Sequence, residues 1–94
     1  MLAQVFLNWN GTADEFARVK SIVRDEVART EGIELKGLYI PTNKWNYVVI
    51  YKIDTFENFL KFQKELRTQI KTQGLAKIPT RKLVIMIKEK DLGQ

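Results

Sequence analysis

The order of helix-like and strand-like segments constrains this chain most strongly. Two segments carry apolar residues at the spacing of a buried helical stripe, and a capping signal precedes each of them. Thr12 and Glu15 precede the first, which is predicted over residues 13 to 31. Asp54 precedes the second, which is predicted to end near Thr72. Because β-prone segments flank both helices, the chain should consist of two similar halves.

Four segments have the composition and alternation typical of β-strands. They are residues 2 to 9, 33 to 40, 45 to 53 and 82 to 88. The second and third are joined by a short turn at residues 41 to 44, which predicts a hairpin, and residues 75 to 79 link the second helix to the last strand. The order βαββαβ is the split-βαβ or ferredoxin-like arrangement, an α+β fold with a four-stranded antiparallel sheet.

The predicted strand order across the sheet is 4-1-3-2, with the first and third strands in the centre. Strands two and four carry the charges and flanking prolines that protect sheet edges from pairing with other chains. A chain of 94 residues supports one hydrophobic core, so residues 1 to 94 are expected to form a single domain.

The absence of Cys and His excludes several kinds of chemistry. Disulfides, thiolate or imidazole metal ligands and Cys/His nucleophile pairs cannot form. We identify no catalytic group, metal site or cofactor motif, and the sequence favours a non-enzymatic role. No basic leader and no apolar run of about 18 residues occurs, so we expect a cytoplasmic protein that does not associate with membranes.

Both helices of this fold cover the same face of the sheet, which leaves the second face open. We assign the aliphatic strand residues to the helix face and the aromatic ones to the open face. Expected under the helices are Ala3, Val5, Leu7, Val48, Ile50, Leu83, Ile85 and Ile87. Expected on the open face are Gln4, Phe6, Asn8, Trp45, Tyr47, Val49, Tyr51, Val84 and Met86.

An open face with so many apolar side chains predicts a partner, because contiguous apolar patches on small domains usually mark interfaces. A small domain without disulfides or metals also gains stability from association. We therefore expect a homodimer. Its predicted interface residues are Phe6, Tyr47, Val49, Val84 and Met86.

Residues 4 to 7, 37 to 40 and 47 to 54 resemble the corresponding strands of the dimeric α+β-barrel group. Its small stand-alone members are ferredoxin-like modules whose two sheets pack face to face. The resemblance implies a homodimer and, in some members, a small apolar or aromatic ligand between sheet and helices. The residues we assign to such a ligand are Asn8, Trp9, Tyr39, Trp45 and Tyr51. Enzymes of the group place a His or a similar acid or base beside the sheet, and this chain has no His.

Single-stranded nucleic acid is the alternative partner. The RNA-recognition motif shares the βαββαβ order and stacks bases on aromatic residues of strands one and three, which Phe6, Trp45 and Tyr47 resemble. The rest of its strand-three motif is missing, because Asn46 occupies the position of a small residue between the two rings.

The basic residues are concentrated in the last third of the chain. Residues 61 to 90 contain nine Lys and Arg against two Asp and Glu, while residues 1 to 60 contain seven against eight. Four of these cations lie along one flank of the second helix, namely Lys61, Lys64, Arg67 and Lys71. The flank is predicted to keep the surface soluble or, in the alternative, to contact phosphates.

Overall fold

The computed structural model describes residues 1–42, 44–75 and 80–88, and it confirms the predicted βαββαβ order. The elements are β1 (Leu2–Asn8), α1 (Ala13–Arg29), β2 (Ile33–Tyr39), β3 (Tyr47–Ile53), α2 (Phe56–Thr72) and β4 (Thr80–Met86). All strand pairs are antiparallel, and the order β2-β3-β1-β4 puts β1 and β3 in the centre as predicted. Residue 43 of the predicted turn and residues 76–79 of the predicted linker lie outside the described residues.

The two helices begin at capping residues, one of which differs from the prediction. The Thr12 hydroxyl accepts a hydrogen bond from the Glu15 amide at 3.1 Å, and the Glu15 carboxylate accepts one from the Thr12 amide at 3.1 Å. In α2 the cap is Thr55, whose hydroxyl accepts from the Asn58 amide at 3.1 Å. Asp54 instead accepts from the Thr55 amide at 2.6 Å and from Asn58 Nδ2 at 3.0 Å. The predicted cap was therefore one residue too early.

The register of the strands fixes which side chains share a face. Val5 of β1 lies opposite Val49 of β3 and opposite Leu83 of β4, and opposite residues point the same way. Val5 and Val49 both belong to the buried cluster under the helices. The predicted faces of β1 and of β4, from Leu83 to Met86, are thus confirmed.

The predicted faces of β3 were wrong. The rings of Tyr47 and Phe16 have centroids 4.4 Å apart, and Tyr51 lies 5.4 Å from each of the rings of Phe59 and Phe62. Tyr47, Val49 and Tyr51 therefore lie under the helices, while Val48 and Ile50 lie on the open face. The cause is aromatic packing, because the helices supply phenylalanine rings that pack well against tyrosine rings.

The helices bury their apolar residues against the sheet, except at the start of α2. Phe16 and Val19 of α1 and Phe59 and Leu66 of α2 are buried, whereas Phe56 is 43% exposed at the start of α2. In the part of the chain that the structure describes, no helix is long and apolar enough to cross a membrane.

Candidate functional site

We call the side of the sheet that faces away from α1 and α2 the open face. Its side chains form three rows that run across the strands. In the order β2, β3, β1, β4, the rows are Tyr39–Val48–Phe6–Lys82, Gly37–Ile50–Gln4–Val84 and Glu34–Lys52–Leu2–Met86. Most of the row residues that belong to the two central strands are apolar, whereas the side chains on a sheet face in contact with water are mostly polar.

An aromatic group lies at one end of the open face. The rings of Phe6 and Trp45 have centroids 6.5 Å apart. Val48, the neighbour of Phe6 in the same row, is only 7% exposed although it is not part of the cluster beneath the helices. Val48 is therefore buried on the open face, outside the core cluster beneath the helices.

Gly37 allows a second aromatic ring to lie against the sheet. A Cβ atom at Gly37 would lie 2.8 Å from a ring carbon of Tyr39, which is closer than side chains approach. With glycine at that position, the ring lies directly over the β2 backbone, where β2 also has a bulge between Leu35 and Gly37. The Tyr39 side chain remains 54% exposed, so it is open to a partner.

Charged side chains lie around this apolar centre. Glu34 and Lys52 occupy one corner and Lys82 lies on the outer strand β4. Lys36 Nζ lies 3.2 Å from the Glu34 carboxylate, and Lys44 Nζ lies 5.7 Å from the centre of the Trp45 ring. An apolar centre with a charged margin of both signs is the usual composition of a protein interface.

The structure divides the predicted interface residues between the two faces of the sheet. Phe6, Val84 and Met86 lie on the open face, whereas Tyr47 and Val49 lie under the helices. Sequence reasoning placed Val48 and Ile50 on the wrong side. The apolar alternation of β3 alone does not reveal its face, because that face is selected by packing against the phenylalanine rings of the helices.

The five predicted ligand residues do not form one site. Tyr39 and Trp45 belong to the open face, and Tyr51 is 2% exposed in the interior. Trp9 is 8% exposed and packs on Phe16 at 5.6 Å, with its Nε1 donating to the Thr12 carbonyl at 3.4 Å. The Asn8 side chain accepts a hydrogen bond from the Asn46 backbone amide at 3.1 Å. This bond fixes the segment that precedes β3.

A narrow apolar pocket lies between α1 and the sheet. Phe16, Leu35 and Leu38 line it, and it encloses about 60 Å³. A cavity of about 150 Å³ is needed to hold benzene, so an aromatic ligand does not fit this pocket as it stands. Lys20 lies at its margin with Nζ 5.2 Å from the centre of the Phe16 ring, so its stem can cover apolar surface.

The described residues contain no group of three or more acidic side chains that could hold a metal ion. A comparison of the chain with protein-family models finds no match, and neither does a comparison with curated proteins.

Proposed function

We propose that this protein functions as a homodimer in which the open faces of two copies pack against each other, as in a dimeric α+β barrel. The observation that carries the proposal is the apolar open face. Phe6, Val48, Ile50 and Val84 lie together on a sheet surface that neither helix covers. Because exposed apolar surface is unfavourable in water, a partner that covers the exposed parts of Phe6, Ile50 and Val84 stabilises the domain.

The margin of the open face favours a second copy as that partner. In a two-fold interface each patch meets the same patch on the other copy, so a margin must be complementary to itself. Glu34 lies close to Lys36 and Lys52, and these opposite charges allow salt bridges between copies. Gln4, the polar residue of the central row, has an amide that both donates and accepts hydrogen bonds, so it can pair with another Gln4.

Substitution of one open-face residue tests the proposal. The Val84→Lys variant places a charge without a partner in the apolar interface, which costs about 3 kcal/mol, or on the order of a hundredfold in the dimer Kd. Met86 is 37% exposed, so Met86→Lys tests the same face with less disturbance of the fold. Both variants should sediment as monomers at concentrations where the wild type is a dimer.

Leu60→Lys is the matched control, because Leu60 is 46% exposed on α2, away from the open face. This variant should sediment as a dimer at the same concentrations as the wild type. If all three variants have the mass of the wild type at every concentration, the open face is not the interface and the proposal is wrong.

Binding of single-stranded nucleic acid is a second candidate function. It is favoured by the pair of rings Phe6 and Trp45 beside the cations Lys44 and Lys82, an arrangement suited to stacking bases next to phosphates. The position of Tyr47 under the helices weakens this candidate, because the ring cannot stack a base from there. It predicts that Phe6→Ala weakens the binding of labelled oligouridine several-fold while Leu60→Ala does not.

A further inference from the structure

A second interior pocket lies between the two helices and the sheet, on the opposite side of the sheet from the open face. It encloses about 70 Å³. Its walls are mostly aliphatic and include Val5, Val23 and Leu66, while Arg67 of α2 and Arg81 of β4 are its charged lining residues. The pocket is thus apolar inside with two guanidinium groups along its lining.

Tyr51 places a polar atom in this pocket. The residue is 2% exposed, and among the described residues its hydroxyl has no hydrogen-bond partner. The hydroxyl oxygen nevertheless retains some accessible surface, and Tyr51 is one of the residues that line the pocket. A buried hydroxyl without a protein partner is costly unless water or a ligand satisfies it.

The two arginines have no acidic partner in the described part of the chain. Arg81 donates a hydrogen bond to the side-chain carbonyl of Gln63, which is buried and also lines the pocket. Burial and the nearby charge of Arg67 both lower the pKa of Arg81, so the two guanidinium groups lie close enough to repel each other. The ion pairs among the described residues are Arg29 with Glu26 and Lys36 with Glu34, and neither involves this pocket.

We propose that this pocket binds a small aliphatic carboxylate. The apolar walls accept the hydrocarbon chain, and the guanidinium groups of Arg67 and Arg81 bind the carboxylate, whose geometry matches the planar donors of arginine. The Tyr51 hydroxyl supplies a further hydrogen bond inside the pocket. This site does not depend on dimerisation, because the pocket lies on the other side of the sheet from the open face.

The test is calorimetric titration of the wild-type protein with propionate, whose short chain suits a pocket of about 70 Å³, and with 1-propanol, which has the same number of carbons and no charge. Propionate should bind at least about tenfold more tightly, since hydrogen bonds to charged groups contribute strongly in a partly buried site. Arg67→Gln and Arg81→Gln should each weaken propionate binding by about tenfold and leave 1-propanol unchanged. Tyr51→Phe should weaken it by about fivefold.

Lys64→Gln is the matched control, because Lys64 is exposed on α2 and does not line the pocket. The affinity of this variant for propionate should equal that of the wild type, and circular dichroism should show that each variant folds. Arg67→Gln retains the Arg81–Gln63 hydrogen bond, so it preserves the test if Arg81→Gln does not fold. The proposal is overturned if propionate does not bind, if 1-propanol or inorganic phosphate binds as tightly, or if the arginine variants bind like Lys64→Gln.

Discussion

Tyr51 shows how one side chain connects packing with stability. Its ring packs against Phe59 and Phe62 under the helices, and burial raises the pKa of its phenol above the ordinary value of 10.0. In the unfolded chain the phenol ionises near its ordinary pKa, while in the folded protein it stays protonated. The unfolded state therefore binds fewer protons than the folded state above about pH 10, which favours unfolding as the pH rises.

We predict that ionisation of Tyr51 in the unfolded chain lowers the free energy of unfolding by up to about 1.4 kcal/mol per pH unit above about pH 10. Urea denaturation of the wild type and of Tyr51→Phe between about pH 9 and about pH 11 measures this contribution. The stability of the wild type relative to the variant should decrease with rising pH. A difference that stays constant over this range would contradict the buried, protonated state of Tyr51.

Residue identities predict some of these contacts and not others. The contact of Lys20 Nζ with the Phe16 ring and the capping box of Thr12 and Glu15 follow from spacing within a single helix. The proximity of Arg67 and Arg81 does not, because it joins α2 to β4 and depends on how the helix lies over the sheet. From the sequence alone, Arg67 is therefore predicted only as one cation of the charged flank of α2.

At the scale of elements, the sequence predicts strands and helices well where polar and apolar residues alternate with one clear period. The interior side of β1 is marked by Ala3, Val5 and Leu7, which alternate with Gln4, Phe6 and Asn8. In β3 both sets of alternating residues are apolar, so its own pattern cannot select a face. The choice is made by partners from other elements, which here are phenylalanine rings of both helices.

Gly32 between α1 and β2 provides an element-scale prediction. Gly32 has φ +86°, and a Cβ atom there would overlap the Asp54 carboxylate, which binds the start of α2. Gly74 after α2 has φ +76° with nothing within 4 Å of such an atom. Gly74→Ala should cost about 1 kcal/mol for the left-handed conformation. Gly32→Ala should cost about 1 kcal/mol more, because Asp54 must move and lose hydrogen bonds.

Urea denaturation at neutral pH compares these two variants with the wild type. Equal losses of stability in Gly32→Ala and Gly74→Ala would show that the contact of Gly32 with Asp54 is unimportant for joining β2 to α2.

At the scale of the whole molecule, the chain forms one sheet with one layer of helices. The Cα atoms extend only 17 Å in the shortest direction, which is the thickness of two layers. The two faces of the sheet therefore have separate roles in our account. The helix side contains the core and the pocket with Arg67 and Arg81, and we propose that the open face associates with a second copy.

Sedimentation equilibrium of the wild-type protein at micromolar concentrations tests the central claim most directly. The chain has a mass of 11.0 kDa, and packing of two open faces predicts a particle of twice that mass. The mass should return to that of one chain on dilution or in Val84→Lys. A wild-type mass of one chain throughout the micromolar range would contradict the claim, because the apolar open face would then be exposed to water.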